Sequence, residues 1–120
     1  DSIHERRGGH PGSALVLGLT FKEDVPDLRN SRSFDLVDRL GELGYAVAVH
    51  DPVADAEELR RSHRLEAVSL EGTAYDLVIG AVAHRQYRDF DEQALAALVA
   101  EGGMIADLKG MWRGRPLPPG

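Results

Sequence analysis

The sequence predicts an α/β fold: a Rossmann-like three-layer sandwich around a mostly parallel sheet of about five strands. Three observations lead there. Four short apolar runs are continuous rather than alternating, the pattern of strands covered on both faces. Stretches of helical period, each with one apolar stripe, lie between those runs. The connections are short, and strands that alternate with helices pair in parallel through right-handed crossovers.

The elements follow in chain order. Residues Asp1 to Gly12 (DSIHERRGGHPG) are polar and Gly-rich, with no apolar period, and are expected to be a flexible lead-in or linker. Ala14-Leu15-Val16-Leu17-Gly18-Leu19 is the first strand. From Ser31 to Leu43, Phe34, Val37, Leu40 and Leu43 recur every third residue, one face of a helix. Asn30 or Ser31 suits its N-cap, and Gly44 follows its end. Ala46 to His50 is the second strand, and Asp55 to Arg61 a short helix capped by Asp55. Glu66-Ala67-Val68 is weaker and suits a short edge strand. Leu77 to Val82 is a further strand. Asp89 to Ala100 points Phe90, Ala94, Leu95, Leu98 and Val99 inward, with Asp89 and Glu92 at capping-box spacing and Gly102-Gly103 as its stop. Met104-Ile105-Ala106 is the last strand, and the Pro/Gly tail Gly114 to Gly120 supports neither helix nor ladder. One domain over residues 13–112 is expected, between a lead-in (1–12) and a tail (113–120).

Composition narrows the function classes. Fourteen basic against twenty acidic residues give a net charge of −6, which excludes broad, charge-driven nucleic-acid binding. Any anion site must be made by a few local cations. With no cysteine there is no disulfide framework, thiolate nucleophile or Cys-ligated zinc, and the five histidines show no metal spacing. No apolar run is long enough for a bilayer and no targeting or lipidation motif is present, so a cytoplasmic protein without membrane contact is expected. The first residue is not Met, which suggests a piece of a longer protein.

In such sheets ligands bind beyond the carboxyl ends of the strands, where strand order reverses. After the first strand, Gly18 to Ser31 holds one glycine where a dinucleotide turn needs G-x-G-x-x-G, so this domain is not expected to be the main dinucleotide holder. That loop instead carries Lys22, Arg29 and Arg32 and runs into a helix start, where free N–H groups and the dipole favour anions. Lys22 offers a point charge and Arg29 a fork suited to phosphate oxygens, and a pyrophosphate is the ligand such a set would take. Alternatively, Arg29 pairs with Asp24 or Asp27 and only pins the loop. His50-Asp51-Pro52 ends the second strand; Asp51 is expected to cap a turn stiffened by Pro52, and His50 to be a satisfied, partly buried histidine. His84 lies within reach of a ligand but shows no evident orienting acid. Lys109 follows the last strand beside Gly110, a second cation on the same face, or simply a surface lysine next to Asp107.

The run VLGLTFKEDVPDLRNS, then a helix, a strand ending in HDP and a late strand ending in DLKG, resembles the carboxy-terminal domain of the UDP-glucose/GDP-mannose dehydrogenase family of nucleotide-sugar 6-dehydrogenases. The resemblance covers Ser13 to about Trp112, and its most specific element is G-L-T-F-K-x-x-x-x-D-x-R-x-S. It implies a UDP-binding domain of a larger enzyme with an NAD-binding Rossmann domain and a central dimerisation region. Such enzymes oxidise the sugar C6 alcohol to a carboxylate in two NAD-dependent steps, through a cysteine-bound thiohemiacetal and thioester. By position in the motif, Phe21 and Lys22 would line the UDP-sugar site, and Arg29 would reach toward the NAD cofactor, itself bound mainly by another domain. Lys109 stands where UDP-glucose enzymes usually carry Arg and is similar to the branch acting on UDP-N-acetylhexosamines, such as those feeding surface polysaccharides. A chain without cysteine would supply no catalytic residue and be inactive alone, while the full-length protein would be a homo-oligomer. Two other readings stay open on the residues: a stand-alone, receiver-like regulatory module, and a complete small NAD-binding protein. Against the first, Glu23 and Asp24 come only after Phe21-Lys22; against the second stands the missing glycine fingerprint.

Overall fold

Each of the four continuous apolar runs forms a strand. In the computed structural model, which describes residues 12–20, 22, 24, 28 and 31–113, the chain runs β1 (Ser13–Leu17), α1 (Ser33–Glu42), β2 (Ala46–His50), α2 (Ala56–His63), β3 (Tyr75–Gly80), α3 (Arg85–Arg88), α4 (Glu92–Leu98) and β4 (Val99–Asp107). The expected lead-in up to residue 11, the tail from residue 114, and Phe21 and Arg29 lie outside the described residues. The sheet is parallel throughout, in the order β2-β1-β3-β4.

β1 sits between two parallel neighbours, which is why it is apolar after Ser13: Ala14, Leu15, Val16 and Leu17 have no exposed surface. Alternation along the strands feeds two cores. Ala14, Val16, Leu77, Ile79 and Met104 face Leu40 of α1 and Leu59 of α2. Leu15, Leu17, Val78 and Ile105 face Tyr87, Leu95, Leu98 and Trp112. Each buried Leu, Val or Ile side chain stabilises by about 1.5–3 kcal/mol, and the two cores join the sheet, the middle layer of the expected three-layer sandwich, to the elements on its two faces.

The sheet has four strands rather than five. Glu66-Ala67-Val68 contributes a single bridge, Val49 to Ala67, at the outer edge of β2. Arg64 closes α2 in the left-handed conformation (φ 56°), and the chain turns again at Gly72 (φ 81°) on its way to β3. Beyond that bridge, Val68 N–H donates to the Val49 carbonyl at 2.8 Å, and Val68 and Leu70 pack against the second core. The helix expected over 89–100 is shorter, Glu92–Leu98. Asp91, not Asp89, is the cap, its Oδ1 accepting from the Ala94 N–H at 2.8 Å, and Tyr87 lies on a separate turn, α3. The helix stops at Leu98 because Val99 joins the sheet opposite Tyr75. Gly102 (φ 79°) and Gly103 then form an irregularity within β4 instead of a helix stop. α2 is capped as expected, Asp55 Oδ1 accepting from Glu57 and Glu58 N–H. α1 begins at Ser33, whose N–H donates to Ser31 Oγ at 3.2 Å. Among the described residues no helix is long and apolar enough to cross a membrane.

Candidate functional site

From β1 the chain passes to β2 on one side and later to β3 on the other, so strand order reverses between β1 and β3. A cleft of about 290 Å³ opens at their carboxyl ends, lined by Thr20, Ser31, Arg32, Ser33, Ala81, Val82 and Lys109. Three loops meet there, those after β1, β3 and β4. The first two approach so closely that a Cβ on Gly18 would lie 2.5 Å from Val82 Cβ, and Gly18 also holds φ 102°. Only glycine fits that crossing.

Lys109 rides on a turn with three internal supports. Both oxygens of Asp107 accept backbone N–H bonds, from Met111 at 3.0 Å and Trp112 at 2.8 Å. Gly110 takes φ 67°. The Trp112 ring is fully buried and donates Nε1–H to the Tyr87 carbonyl at 2.7 Å. Asp107 thus shapes the turn and does not serve as a partner for its neighbour. The ion pairs between described residues join Arg39 to Glu42, Arg60 to Glu66, Arg61 to Glu57 and Arg88 to Asp24, leaving Lys109 and Arg32 outside them. Both are exposed, and Arg32 stands at the start of α1, where the first N–H groups lack helical acceptors. Lys22 is exposed on the same loop but does not line the cleft; its carbonyl accepts from Thr20 Oγ1 at 3.0 Å.

Beside the cleft lies a buried polar network. Asp51 Oδ2 accepts from the N–H groups of Leu19 (2.7 Å) and Thr20 (3.1 Å) and contacts His84 Nε2 at 2.8 Å. Its Oδ1 accepts from Val53 and Ala54, the turn expected of Asp51. Burial alone would raise the Asp51 carboxyl; the hydrogen bonds from His84, Leu19 and Val53 outweigh it and hold the group down at about 2. The orienting acid that the sequence did not reveal for His84 is therefore Asp51, and both side chains are fully buried. His50 is partly buried and satisfied, as expected. The Tyr87 hydroxyl donates to the His50 carbonyl at 2.8 Å, so His50 Nδ1–H donates to that oxygen at 2.7 Å. Burial lowers the His50 imidazole against the opposing pull of Asp51, and burial pushes the Tyr87 hydroxyl up.

The network also tests the first βα turn for a dinucleotide. In a glycine-fingerprint turn the backbone N–H groups after β1 receive pyrophosphate. Here those of Leu19 and Thr20 are spent on Asp51, and Val82 packs against Gly18. The turn does not fit an NAD pyrophosphate. Among the described residues no group of three or more metal-ligating side chains is gathered.

Residues 15–114 match the model of the UDP-glucose/GDP-mannose dehydrogenase family, UDP binding domain. The chain belongs to this family. UDP-N-acetyl-D-glucosamine 6-dehydrogenase of Salmonella typhi is 39% identical over 98 residues, 81% of this chain and 23% of that protein. The enzyme of the same name from Pseudomonas aeruginosa is 36% identical over 96 residues, 79% of this chain and 23% of that protein. A UDP-glucose dehydrogenase structure from Pyrobaculum islandicum superposes with a TM-score of 0.67 at 31% identity, over 98% of this chain and 25% of that one. The chain thus spans about a quarter of the length of these relatives.

Sequence reasoning singled out Lys109, and the structure brings it together with Thr20, Ser31 and Arg32. Arg32 was legible as a loop cation, but its place in the cleft was not. The Asp51–His84 pair was missed because the two lie 33 residues apart with no local motif joining them. The available signal was topological: each follows a strand that neighbours β1, so both flank the end of β1.

Proposed function

We propose that this domain binds the UDP of a UDP-sugar, with the diphosphate between Lys109 and the loop after β1. The carrying observation is that Lys109 and Arg32, from opposite ends of the folded chain, line one cleft at the point where strand order reverses. Lys22 and Phe21 complete the substrate side of the site, and Arg29 reaches toward NAD, which another domain holds. As part of a longer enzyme the domain presents a UDP-hexose or UDP-N-acetylhexosamine for oxidation of its C6 alcohol to the uronic acid. That change consumes one water and passes two hydrides to two NAD. The two bacterial relatives, both UDP-N-acetyl-D-glucosamine 6-dehydrogenases, favour the N-acetylhexosamine, and with it a role in supplying surface polysaccharide. The chain has no cysteine to carry the family's covalent chemistry and on this reading is inactive alone, working in the cytoplasm within a homo-oligomer.

The test is calorimetric titration of the chain with UDP, uridine and NAD. UDP is expected to bind at least about tenfold more tightly than uridine, the worth of one charge-assisted hydrogen bond. Lys109→Ala should close most of that gap, and Lys22→Ala, outside the cleft lining, should weaken UDP to a lesser degree. Equal affinity for UDP and uridine, or tighter binding of NAD than UDP, would reject the assignment.

A further inference from the structure

The loop after β1 supplies three residues of the cleft wall, and Asp51, Asp24 and His84, which do not line the cleft, hold its shape from behind. Asp24 adopts φ 59°, a left-handed conformation unfavourable for a residue with a side chain. Three bonds hold it there. Its N–H donates to His84 Nδ1 at 2.9 Å, its Oδ1 accepts from the Arg85 N–H at 2.8 Å, and its Oδ2 accepts from Arg88 Nη2 at 3.2 Å. Thr20 is the second anchor. Its N–H reaches Asp51, its hydroxyl donates to the Lys22 carbonyl, and its own carbonyl accepts from Ser31 Oγ at 3.4 Å.

Both anchors converge on His84, and the geometry fixes its tautomer. Nδ1 faces an N–H donor and must be the bare nitrogen. The proton is therefore on Nε2, directed at Asp51 Oδ2 (2.8 Å) with Thr20 Oγ1 at 3.0 Å. The Thr20 hydrogen is already committed to Lys22, so that oxygen receives and does not give. His84 has no exposed surface, so water cannot replace either partner.

We propose that His84 is a positioning residue for the nucleotide cleft: a neutral imidazole whose Nε2–H is seated on Asp51 and whose Nδ1 holds the Asp24 N–H, setting the β1 loop that carries Thr20, Lys22, Ser31 and Arg32. For ligand binding this rests on the UDP reading; for the shape of the loop it does not.

The two ring nitrogens can be separated by substitution. Asn places an amide oxygen near the Nδ1 position and keeps an acceptor for Asp24, but loses the donor to Asp51. Gln reaches the Nε2 position and keeps the donor to Asp51, but loses the Asp24 acceptor. A purely structural histidine would give one ranking for both stability and binding. The positioning role gives opposite rankings. His84→Asn leaves a buried carboxylate short of a donor and should melt lower, yet bind UDP within about threefold of the parent. His84→Gln should melt higher than His84→Asn, yet bind UDP about tenfold more weakly, the effect of one lost hydrogen bond. Without any ligand, exchange of the Asp24 amide hydrogen should accelerate more than about tenfold in His84→Gln and stay within about threefold in His84→Asn. Asp24→Ala, an exposed change that spares the core, should weaken UDP in the same direction and guards against failure of a His84 variant to fold. Affinity and melting temperature falling in the same order, or an Asp24 amide no faster in His84→Gln than in the parent, would overturn the proposal. If the parent does not bind UDP, the substrate reading fails, and the exchange comparison still decides whether His84 sets the loop.

Discussion

Asp51 occupies, from inside the protein, the place that a phosphate takes in a glycine-fingerprint turn. It presents two oxygens to four backbone N–H groups and to the imidazole of His84. The cleft proposed for the nucleotide lies beside this network and is lined by Arg32 and Lys109. Asp51 also writes a pH dependence into stability. The carboxyl titrates at about 2 in the fold and at 3.8 without it. Its contribution is therefore complete above pH 3.8 and disappears as pH falls through about 2; a gap of nearly two units corresponds to roughly 2 kcal/mol. His50 acts with the same sign, since burial lowers its pKa from 6.5. The unfolded chain takes up that proton first, so stability is lost as pH falls below about 6.5. Urea unfolding at stepped pH is expected to show both losses. Asp51→Asn should be less stable at pH 7 by about 2–4 kcal/mol, because an amide NH₂ must face buried N–H donors. Its stability should then change less between pH 4 and pH 2 than that of the parent, and an equally steep acid limb would show that other carboxylates carry the effect.

At the scale of elements, the cleft depends on close crossings that tolerate no side chain. Gly18→Ala would place a methyl 2.5 Å from Val82 Cβ and 2.8 Å from its backbone nitrogen, on a residue already at φ 102°. A loss of at least about 2 kcal/mol is expected in chemical unfolding, since backbone and not a flexible tip must move. Trp112→Phe keeps the ring in the core but removes the Nε1–H bond to the Tyr87 carbonyl, with an expected cost of about 1–3 kcal/mol. It should also weaken UDP binding by loosening the Lys109 turn. An unaltered affinity would mean that Asp107 alone shapes that turn. These elements show what was legible beforehand. β1 and β3 were clear because strands buried on both faces write unbroken apolar runs, and β2, half-buried at the sheet edge, still turns Val47 and Val49 to one core and Ala48 to the other. The ends of the 89–100 helix were not, because Asp89 and Asp91 offer equivalent caps, and Val99 suits the last turn of a helix or the first residue of a strand. The three-residue run at Glu66 looked like a strand for the same local reason, and it pairs with β2 through a single bridge only. The loop after β1 was legible as a segment that carries the cations Lys22, Arg29 and Arg32. Its anchoring was hidden because Asp24 and His84 lie 60 residues apart and meet only once β1 and β3 pair.

The whole molecule sets an opposing field on its own proposed ligand. The chain carries −6 overall while the cleft presents Lys109 and Arg32 to an anion. The two act over different distances. The chain has a radius of gyration of 13.4 Å, so much of its acidic surface lies farther from the cleft than the contact cations. The screening length is about 30 Å at 0.01 M salt, about 10 Å at 0.1 M and about 3 Å at 1 M. At the lowest salt the phosphates feel the entire negative surface; near 0.1 M that repulsion is largely screened while contacts within about 4 Å persist. UDP affinity is therefore expected to rise or hold level from 0.01 to 0.1 M salt and to fall only beyond it, as the cation contacts themselves are screened. Lys109→Ala should flatten the falling limb and leave the rising one, because it removes a near charge and keeps the distant ones. Uridine, lacking the phosphates, should show neither limb. Titrations of UDP and uridine at five or so salt concentrations would decide it. A steep, monotonic decline from 0.01 M upward would mean that the cations of the cleft dominate at every distance. The acidic exterior would then not act as a barrier that keeps longer polyanions, nucleic acid included, from competing for the proposed diphosphate site.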